Sequence, residues 1–219
     1  MAKNPPCLAL TPPAKLLIFD PLTEKKPFID PKTKKEKGDP KYRATFIIPK
    51  SANMDQIKAQ LAAAARAKNA SIPYEQWKKP VKDGNKLIER AVAKGKAEGS
   101  LAYYKDCWVV ECKSEFKPDL SIARGGKAEP VPDEAAGQVF YSGAQVIGEL
   151  NFVAHEIEGE DNNGDPIVSR YISAYHNFVL KVGEGERFGR KSRDEVFKGV
   201  MGGTSAENPM AGKDEDEDF

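Results

Sequence analysis

Basic side chains next to aromatic rings are the residues of this sequence with the clearest chemistry. They occur at Lys41-Tyr42-Arg43, Trp77-Lys78-Lys79 and Tyr103-Tyr104-Lys105, and two further tyrosines, Tyr171 and Tyr175, stand late in the chain. Lysine and arginine neutralise phosphates, while aromatic rings stack on unpaired bases. The combination is typical of proteins that bind single-stranded nucleic acid, and it requires no short motif.

The strand pattern separates exposed aromatic residues from buried ones. Tyr171 and Tyr175 share a polar face with Ser173 and Asn177, which indicates a wet, ligand-facing surface. Three other aromatic residues alternate with apolar neighbours and are predicted to lie in the core: Tyr42, Trp108 and Phe116.

Acidic residues are concentrated at the end of the sequence, in the run Asp214, Glu215, Asp216, Glu217, Asp218, Phe219. The formal net charge of the 219 residues is +1, and without these five acids it becomes +6. A basic body suits a polyanion, and an acidic tail suits either a basic partner or the body itself.

Motifs for catalysis, cofactors and metals do not match this sequence. The run from Gly183 to Ser192 has neither the spacing of a P-loop nor that of a dinucleotide fingerprint. The two histidines and three cysteines have no metal-ligand spacing, and so few cysteines form no disulfide framework. We therefore predict no catalytic residue, no cofactor and no metal. No apolar run of membrane-spanning length and no signal peptide are present, so we expect no membrane partner and a cytosolic location.

The secondary-structure pattern predicts about five strands with helices inserted after the second. The strands are predicted at residues 8–19, kinked at Pro12 and Pro13, and at 41–49, 106–116, 139–155 and 167–182. Asn53 is predicted to cap a helix over 54–68, which buries Ile57, Leu61, Ala64 and Ala65. A second helix is predicted over 87–97, with Leu87, Ile88, Ala91 and Val92 facing inward.

The remaining segments are predicted to be connections. They are a basic loop or hairpin tip at 20–40, a mobile loop at 117–137, a turn at 158–165, a short helix or basic extension at 186–199 and disorder at 202–219. Gly143 and Gly148 predict bulges or sharp coiling in the long fourth strand.

Strands and helices do not alternate, which argues against a parallel doubly wound sheet. The pattern predicts a mainly β protein with inserted helices, built as a five-stranded Greek-key barrel of the OB type. We expect one domain over residues 1–200, with a helical insertion at about 53–98, followed by a disordered acidic tail at 201–219.

Four stretches together resemble the single-stranded DNA-binding proteins of tailed bacteriophages, which are OB-fold proteins with an acidic C-terminal tail ending in phenylalanine. They are Lys41–Lys50 leading into an alanine-rich helix, Phe140–Gly143, Val182–Phe188 and Asp214–Phe219. The order of the stretches and the tail carry the likeness, which covers nearly the whole chain.

The resemblance implies a non-enzymatic protein that binds single-stranded DNA without sequence preference, in phage DNA replication, recombination and repair, inside the host bacterium. It also implies that the tail, Asp214 to Phe219, contacts replication proteins such as DNA polymerase or helicase and competes with DNA. A monomer and a homodimer both remain open. The predicted DNA-binding residues are basic or aromatic: Lys41, Arg43, Trp77, Lys78, Lys79, Tyr103, Tyr104, Lys105, Lys113, Tyr171 and Tyr175.

Two other classes of function compete with this interpretation. An adaptor or scaffold would use the acidic tail to recruit a basic partner without touching DNA. A metal-dependent nuclease requires carboxylates clustered on a rigid core, whereas the dense acids here lie in a predicted turn and in the tail. A gel shift with a labelled oligonucleotide separates the adaptor from the DNA-binding protein.

Overall fold

The computed structural model describes residues 6–29, 33, 35–160 and 166–188. The described residues form ten strands: β1 (Cys7–Leu10), β2 (Ala14–Leu17), β3 (Lys26–Ile29), β4 (Glu36–Pro49), β5 (Val81–Asp83), β6 (Cys107–Ser114), β7 (Asp119–Arg124), β8 (Lys127–Pro130), β9 (Gln145–Glu160) and β10 (Pro166–Gly183). They also form three α-helices: α1 (Asp55–Lys68), α2 (Gly84–Val92) and α3 (Asp133–Val139). Two short 3-10 segments lie at Tyr74–Gln76 and Glu98–Tyr104.

Five of the strands close into a barrel. Their order around the ring is β2, β4, β6, β10 and β9, and the ring closes because β9 pairs with both β10 and β2. Strands β6 and β10 are parallel, while the other neighbours in the ring are antiparallel. This is the five-stranded Greek-key arrangement of an OB fold, so the predicted fold class is confirmed.

Four of the five barrel strands lie close to where the sequence pattern predicts them. The start of the fourth predicted strand is wrong, because Val139 ends helix α3 and β9 begins only at Gln145, so Gly143 lies before the strand and not within it.

Ala44, Phe46 and Ile48 of β4 are buried, as the alternation requires. The ring of Phe46 lies against Gly148 of β9, where an added Cβ would sit 2.5 Å from two ring carbons. Glycine is therefore required at this point for β9 to pass the ring.

The first predicted strand is interrupted at its prolines. Pro12 and Pro13 separate β1 from β2, because proline cannot donate to a ladder. The basic segment 20–40 is a hairpin in part, since β3 pairs antiparallel with the first half of β4.

Helix α1 confirms the predicted stripe, because Ile57, Leu61, Ala64 and Ala65 are all buried. The cap residue is Met54, one residue later than predicted, and it makes no side-chain cap bond. Asn53 stands just before it, and its Oδ1 accepts a hydrogen bond of 2.7 Å from the backbone N–H of Asp55.

Helix α2 begins earlier than predicted because the side chain of Asp83 caps it, accepting a 2.9 Å hydrogen bond from the N–H of Asn85. The helix also ends earlier than predicted, at Val92. Leu87, Ile88 and Ala91 are half-buried, but Val92 is 44% exposed, so its predicted inward position is wrong.

The prediction of a mobile loop over residues 117–137 is wrong. This segment contains β7, β8 and the start of α3, and Gly125 and Gly126, both with positive φ, form the turn of the β7–β8 hairpin. Strand β7 pairs in parallel with β10, which is distant in the sequence. A local pattern of glycine and proline does not reveal such a pairing.

Three predictions fall wholly or largely outside the described residues: the short helix or basic extension at 186–199, of which only 186–188 are described, the boundary between domain and tail at residues 200 and 201, and the acidic tail. None of the helices that the structure describes has the length and apolar character needed to span a membrane.

Candidate nucleic-acid interface

The outside of strands β4, β6, β10 and β9 forms one continuous surface, which we call the outer face. Arg43 of β4 lies opposite Lys113 of β6. Strands β6 and β10 are neighbours through Cys112 and Ala174, whose side chains are both buried. The next residue on each strand therefore points outward, which places Tyr175 beside Lys113.

A row of polar and aromatic side chains crosses the four strands. It continues from Tyr175 to Asn151, its partner on β9. We call Arg43, Lys113, Tyr175 and Asn151 the outer row. The row combines two cations on one side with an aromatic ring and an amide on the other, which is the pairing of charge and stacking surface that single-stranded DNA requires.

His155 and two tyrosines form a cluster next to the outer row. The rings of His155 and Tyr171 stack with their centroids 5.1 Å apart, and the hydroxyl of Tyr175 lies 3.4 Å from Nε2 of His155. Partial burial lowers the pKa of His155, and the charges of Lys68 and Lys41 lower it further. The lowered pKa favours the neutral form of His155, and the positive charges of Lys68 and Lys41 that disfavour its protonation attract anions to this surface.

Phe116 extends the aromatic surface. Its side chain is 80% exposed, so its predicted core position is wrong. Strand β6 ends at Ser114, whose Oγ accepts a 3.0 Å hydrogen bond from the N–H of Phe116, and this turn takes the ring out of the strand alternation. Pro118, two residues later, is the sequence signal for the end of the strand. The other two residues predicted for the core, Tyr42 and Trp108, are half-buried.

Phe116 borders a shallow cleft of about 290 Å³ on the outer face. The cleft is lined by side chains of β9, of β10 and of the end of β6 with the two residues after it: Ser114, Glu115, Phe116, Asn151, Val153, Tyr175 and Asn177. Two rings, two amides and an aliphatic wall in one cleft provide both a stacking surface and hydrogen-bond partners for a base.

The cations near the outer row differ in how they are held. Lys41 lies 3.4 Å from the carboxylate of Glu115, and Arg43 donates a 3.1 Å hydrogen bond to the carbonyl of Pro27 in the β3–β4 hairpin. Lys113 is exposed. Surface ion pairs of this kind are weak, so phosphates can compete for Lys41.

The predicted residues Tyr103, Tyr104 and Lys105 lie elsewhere, just before the other end of β6. Tyr103 stacks on Phe188 with the centroids 4.8 Å apart and the planes 16° from parallel, and Tyr104 contacts Tyr103 edge to face. Burial raises the pKa of Tyr104. We call Tyr103, Tyr104 and Phe188 the aromatic corner. The structure does not bring it together with the outer row.

Trp77 requires a correction. Its side chain is only 2% exposed and packs in the core, so the ring offers no face to a base and Trp77 is removed from the candidate set. Its neighbours lie at the surface. The backbone of Lys78 pairs with that of Tyr171, and Nζ of Lys79 lies 4.2 Å above the ring of Tyr74.

Two of the stretches that carry the resemblance contact each other. Gly143 and Gly185 cross so closely that a Cβ on Gly185 would sit 2.0 Å from the carbonyl oxygen of Gly143. The N–H of Phe188 donates a 3.0 Å hydrogen bond to the carbonyl of Ser142. The segment after β10 is therefore held across the start of β9, and this contact requires glycine on both sides.

Comparison with known proteins identifies the family. Residues 26–210 match the protein-family model described as Enterobacter phage Enc34, ssDNA-binding protein. The chain belongs to this family of phage single-stranded DNA-binding proteins. The family is non-enzymatic, as the resemblance implied.

Solved structures of the family's Enc34 protein share the fold of this chain. The complex of that protein with ssDNA has 19% sequence identity and a TM-score of 0.52, and the match covers 83% of this chain and 89% of that one. The protein without DNA has 16% identity and a TM-score of 0.53, with 87% and 89% covered. A C-terminal truncation has 18% identity and a TM-score of 0.52, with 83% and 88% covered. No curated protein matches the chain.

Proposed function

We propose that this protein binds single-stranded DNA without sequence preference through its outer face, in phage DNA replication, recombination and repair within the cytoplasm of a host bacterium. Family membership supports the choice of nucleic acid, and the solved complex of the Enc34 protein with ssDNA supports it further. The residues that we assign to the interface are the outer row together with Phe116, Tyr171 and Lys41.

The outer row is the observation that carries the assignment to this face. In OB folds, the face of the second and third barrel strands is the usual binding surface for oligonucleotides. In this barrel those strands are β4 and β6, which carry Arg43 and Lys113. Phosphates would follow the two cations, and bases would stack on Tyr175 and Phe116.

A salt titration of oligonucleotide affinity tests the proposal. Fluorescence anisotropy would compare a labelled single strand with a duplex of equal length. We expect tighter binding to the single strand, because a duplex hides the faces of its bases, and a steep fall in affinity with salt. Equal affinity for both at moderate salt would reject stacking, and an affinity independent of salt would reject the electrostatic contribution.

We further propose that the tail, Asp214 to Phe219, competes with DNA and recruits a replication protein such as a polymerase or a helicase. Five acids within six residues oppose a body of charge +6, and the tether keeps their local concentration high. Deleting Asp214–Phe219 should therefore raise DNA affinity, most at low salt, where screening is weakest. Unchanged or lower affinity after the deletion would contradict the competition.

A further inference from the structure

The chain between helices α1 and α2, residues 69–83, which we call the connector, joins the barrel wall where β6 and β10 separate. Among the described residues, β6 and β10 pair directly at one position only. Nearer the start of β6, β5 pairs with β6 and the backbone of Lys78 pairs with β10. The N–H of Lys78 donates a 3.1 Å hydrogen bond to the carbonyl of Arg170, and its carbonyl accepts a 2.8 Å hydrogen bond from the N–H of Ile172. These two bonds fix Lys78 beside Tyr171.

The alternation of side chains along the connector places Lys78 on the outer face. Residues paired across neighbouring strands point to the same side of a sheet, so Lys78 shares the side of Tyr171. Its two neighbours point to the opposite side, as a strand requires: Trp77 is buried in the core, and Nζ of Lys79 lies over the ring of Tyr74, next to α1. Lys78 is exposed. Of the two lysines after Trp77, Lys78 is therefore the one that reaches the outer face.

Tyr171 lies between Lys78 and His155. On β9, the partner of Tyr171 is His155, whose ring stacks on the tyrosine ring with the two planes 25° from parallel. His155 therefore covers the face of Tyr171 that is turned toward β9, and the opposite face is turned toward Lys78. A ring supported from behind, with a cation beside its other face, suits a nucleotide that stacks its base on the ring and places a phosphate at the cation.

Lys78 differs from the neighbouring lysines in its charge partners. Lys50 is paired with Asp83 at 2.9 Å, and Lys82 is paired with Glu111 at 2.6 Å. Lys78 forms no ion pair with any residue that the structure describes. A phosphate that binds Lys78 therefore displaces none of the described carboxylates, whereas a phosphate at Lys50 or Lys82 has to compete with one.

We propose that Lys78, Tyr171 and His155 form a second nucleotide-binding position on the outer face, which we call the connector subsite. A base stacks on the face of Tyr171 that is turned toward Lys78, its phosphate lies at Lys78, and His155 supports the ring from behind. The inference rests on the proposed binding of single-stranded DNA, and it specifies a contact that the connector adds to those of the barrel strands.

The connector subsite lies next to the outer row but takes a different nucleotide. Tyr171 and Tyr175 are four residues apart on β10, a distance of about 13 Å along an extended strand. Successive nucleotides of a stacked strand are about 3.4 Å apart, so a base on Tyr171 and a base on Tyr175 belong to different nucleotides. The hydroxyl of Tyr175 lies 3.4 Å from Nε2 of His155, which places the two positions on one continuous surface. We therefore expect one single strand to occupy both.

Proton NMR of the histidine rings tests occupancy of the connector subsite in the full chain. The sequence has two histidines, His155 and His176, and the signals of His155 are assigned with His155→Gln. We expect the His155 signals to shift when a single-stranded oligothymidylate is added, because a base on Tyr171 changes the ring-current field at His155. His176 is 1% exposed, so its signals are the internal control and should stay in place. Unchanged His155 signals at saturating oligonucleotide would overturn the proposal.

Two neighbouring lysines provide a matched test of the phosphate contact. Lys78→Ala should weaken binding of the oligothymidylate and reduce the slope of log affinity against log salt by about one. Lys79→Ala is the control, because it removes the same charge from the next residue, whose side chain lies on the other side of the connector. The slope of Lys79→Ala should equal that of the wild type. A Lys78→Ala slope no smaller than the Lys79→Ala slope would contradict the connector subsite.

Charge reversal separates the connector subsite from the outer row. Lys78→Glu repels a phosphate, so the His155 shift at saturating oligonucleotide should be smaller than in Lys79→Glu. An equal shift in the two variants would mean that His155 responds to DNA on the outer row alone, which overturns the subsite. If the wild type binds the single strand in anisotropy and these tests fail, only the subsite is wrong. If the wild type does not bind the single strand, the proposed function is wrong, and the subsite with it.

Discussion

The two ends of strand β6 carry aromatic rings next to basic residues, but the rings have different surroundings. Just after Ser114, the ring of Phe116 is 80% exposed, and Tyr175 lies on the neighbouring strand beside Lys113. Just before Cys107, Tyr103 is stacked on Phe188 and Tyr104 is in contact with Tyr103. The first end leaves ring surface free, while at the second end the half-buried rings contact one another.

This difference separates a binding surface from a structural cluster of the same composition. A base can stack only on a ring face that no other ring covers. At the aromatic corner that face of Tyr103 is already taken by Phe188, whereas near the outer row Phe116 faces solvent in an open cleft. The proximity of a lysine and an aromatic ring in the sequence is therefore not sufficient to identify a DNA-binding site.

The largest effect that we predict is on stability, at the buried Trp77. Trp77→Ala should lower the free energy of unfolding by about 3–5 kcal/mol, because it removes a large ring from a packed core. Phe116→Ala should change the free energy by less than about 0.5 kcal/mol. Urea denaturation followed by circular dichroism measures both, and a similar loss for the two variants would remove the distinction between buried and exposed rings.

His176, the residue after Tyr175 on β10, tests whether the inner side of this strand is buried. His176 is 1% exposed, and neither ring nitrogen has a hydrogen-bond partner among the described residues. Burial lowers its pKa to about 4, so the unfolded chain takes up the proton first as the pH falls. Stability should therefore decrease between about pH 6.5 and pH 4, by about 3 kcal/mol in total.

His176→Leu isolates this contribution, because leucine fills the site without titrating. The difference in unfolding free energy between wild type and variant should change across that pH range. A constant difference from pH 7 to pH 4 would show that His176 has a solvated or partnered ring and is not enclosed as described.

Single ring deletions sharpen the comparison in binding. Phe116→Ala and Tyr175→Ala should each weaken binding of a single strand by about 1–3 kcal/mol, the usual loss for a stacked base. Tyr103→Ala is the matched control and should leave affinity unchanged, since its ring packs on Phe188. Anisotropy titrations at constant salt measure all three, and an effect of Tyr103→Ala as large as that of Phe116→Ala would place DNA at the aromatic corner instead.

The smallest effect that we predict is on the salt dependence. Arg43→Ala and Lys113→Ala should each reduce the slope of log affinity against log salt by about one, because each removes one phosphate contact. Lys127→Ala, which removes an exposed lysine from β8, should not change the slope. Equal slopes in all three variants would mean that phosphates do not follow the outer row.

The sequence was sufficient for the barrel and for part of the site. Alternation along the strands and a helix stripe predicted the five barrel strands and α1, because those patterns are local. Lys41, Arg43, Lys113, Tyr171 and Tyr175 were predicted for the interface and lie together on the outer face.

The remaining features depend on contacts between distant residues. The glycine and proline residues of 117–137 indicate a loop, but this segment contains β7, which pairs with β10 about sixty residues later. A local pattern does not show such a distant pairing. Trp77 looked exposed because lysines follow it, but the chain turns its ring into the core. Phe116 is in phase with the buried residues of β6, but the strand ends at Ser114, so the alternation of buried and exposed side chains does not reach Phe116.

Ultraviolet cross-linking of the full chain to a single-stranded oligonucleotide, with adducts located by mass spectrometry, tests the central claim most directly. The claim is that single-stranded DNA lies on the outer face and not at the aromatic corner. We predict adducts at Phe116 and Tyr175 and none at Tyr103 or Tyr104. Adducts concentrated at Tyr103 and Tyr104, with Phe116 and Tyr175 unmodified, would contradict the account.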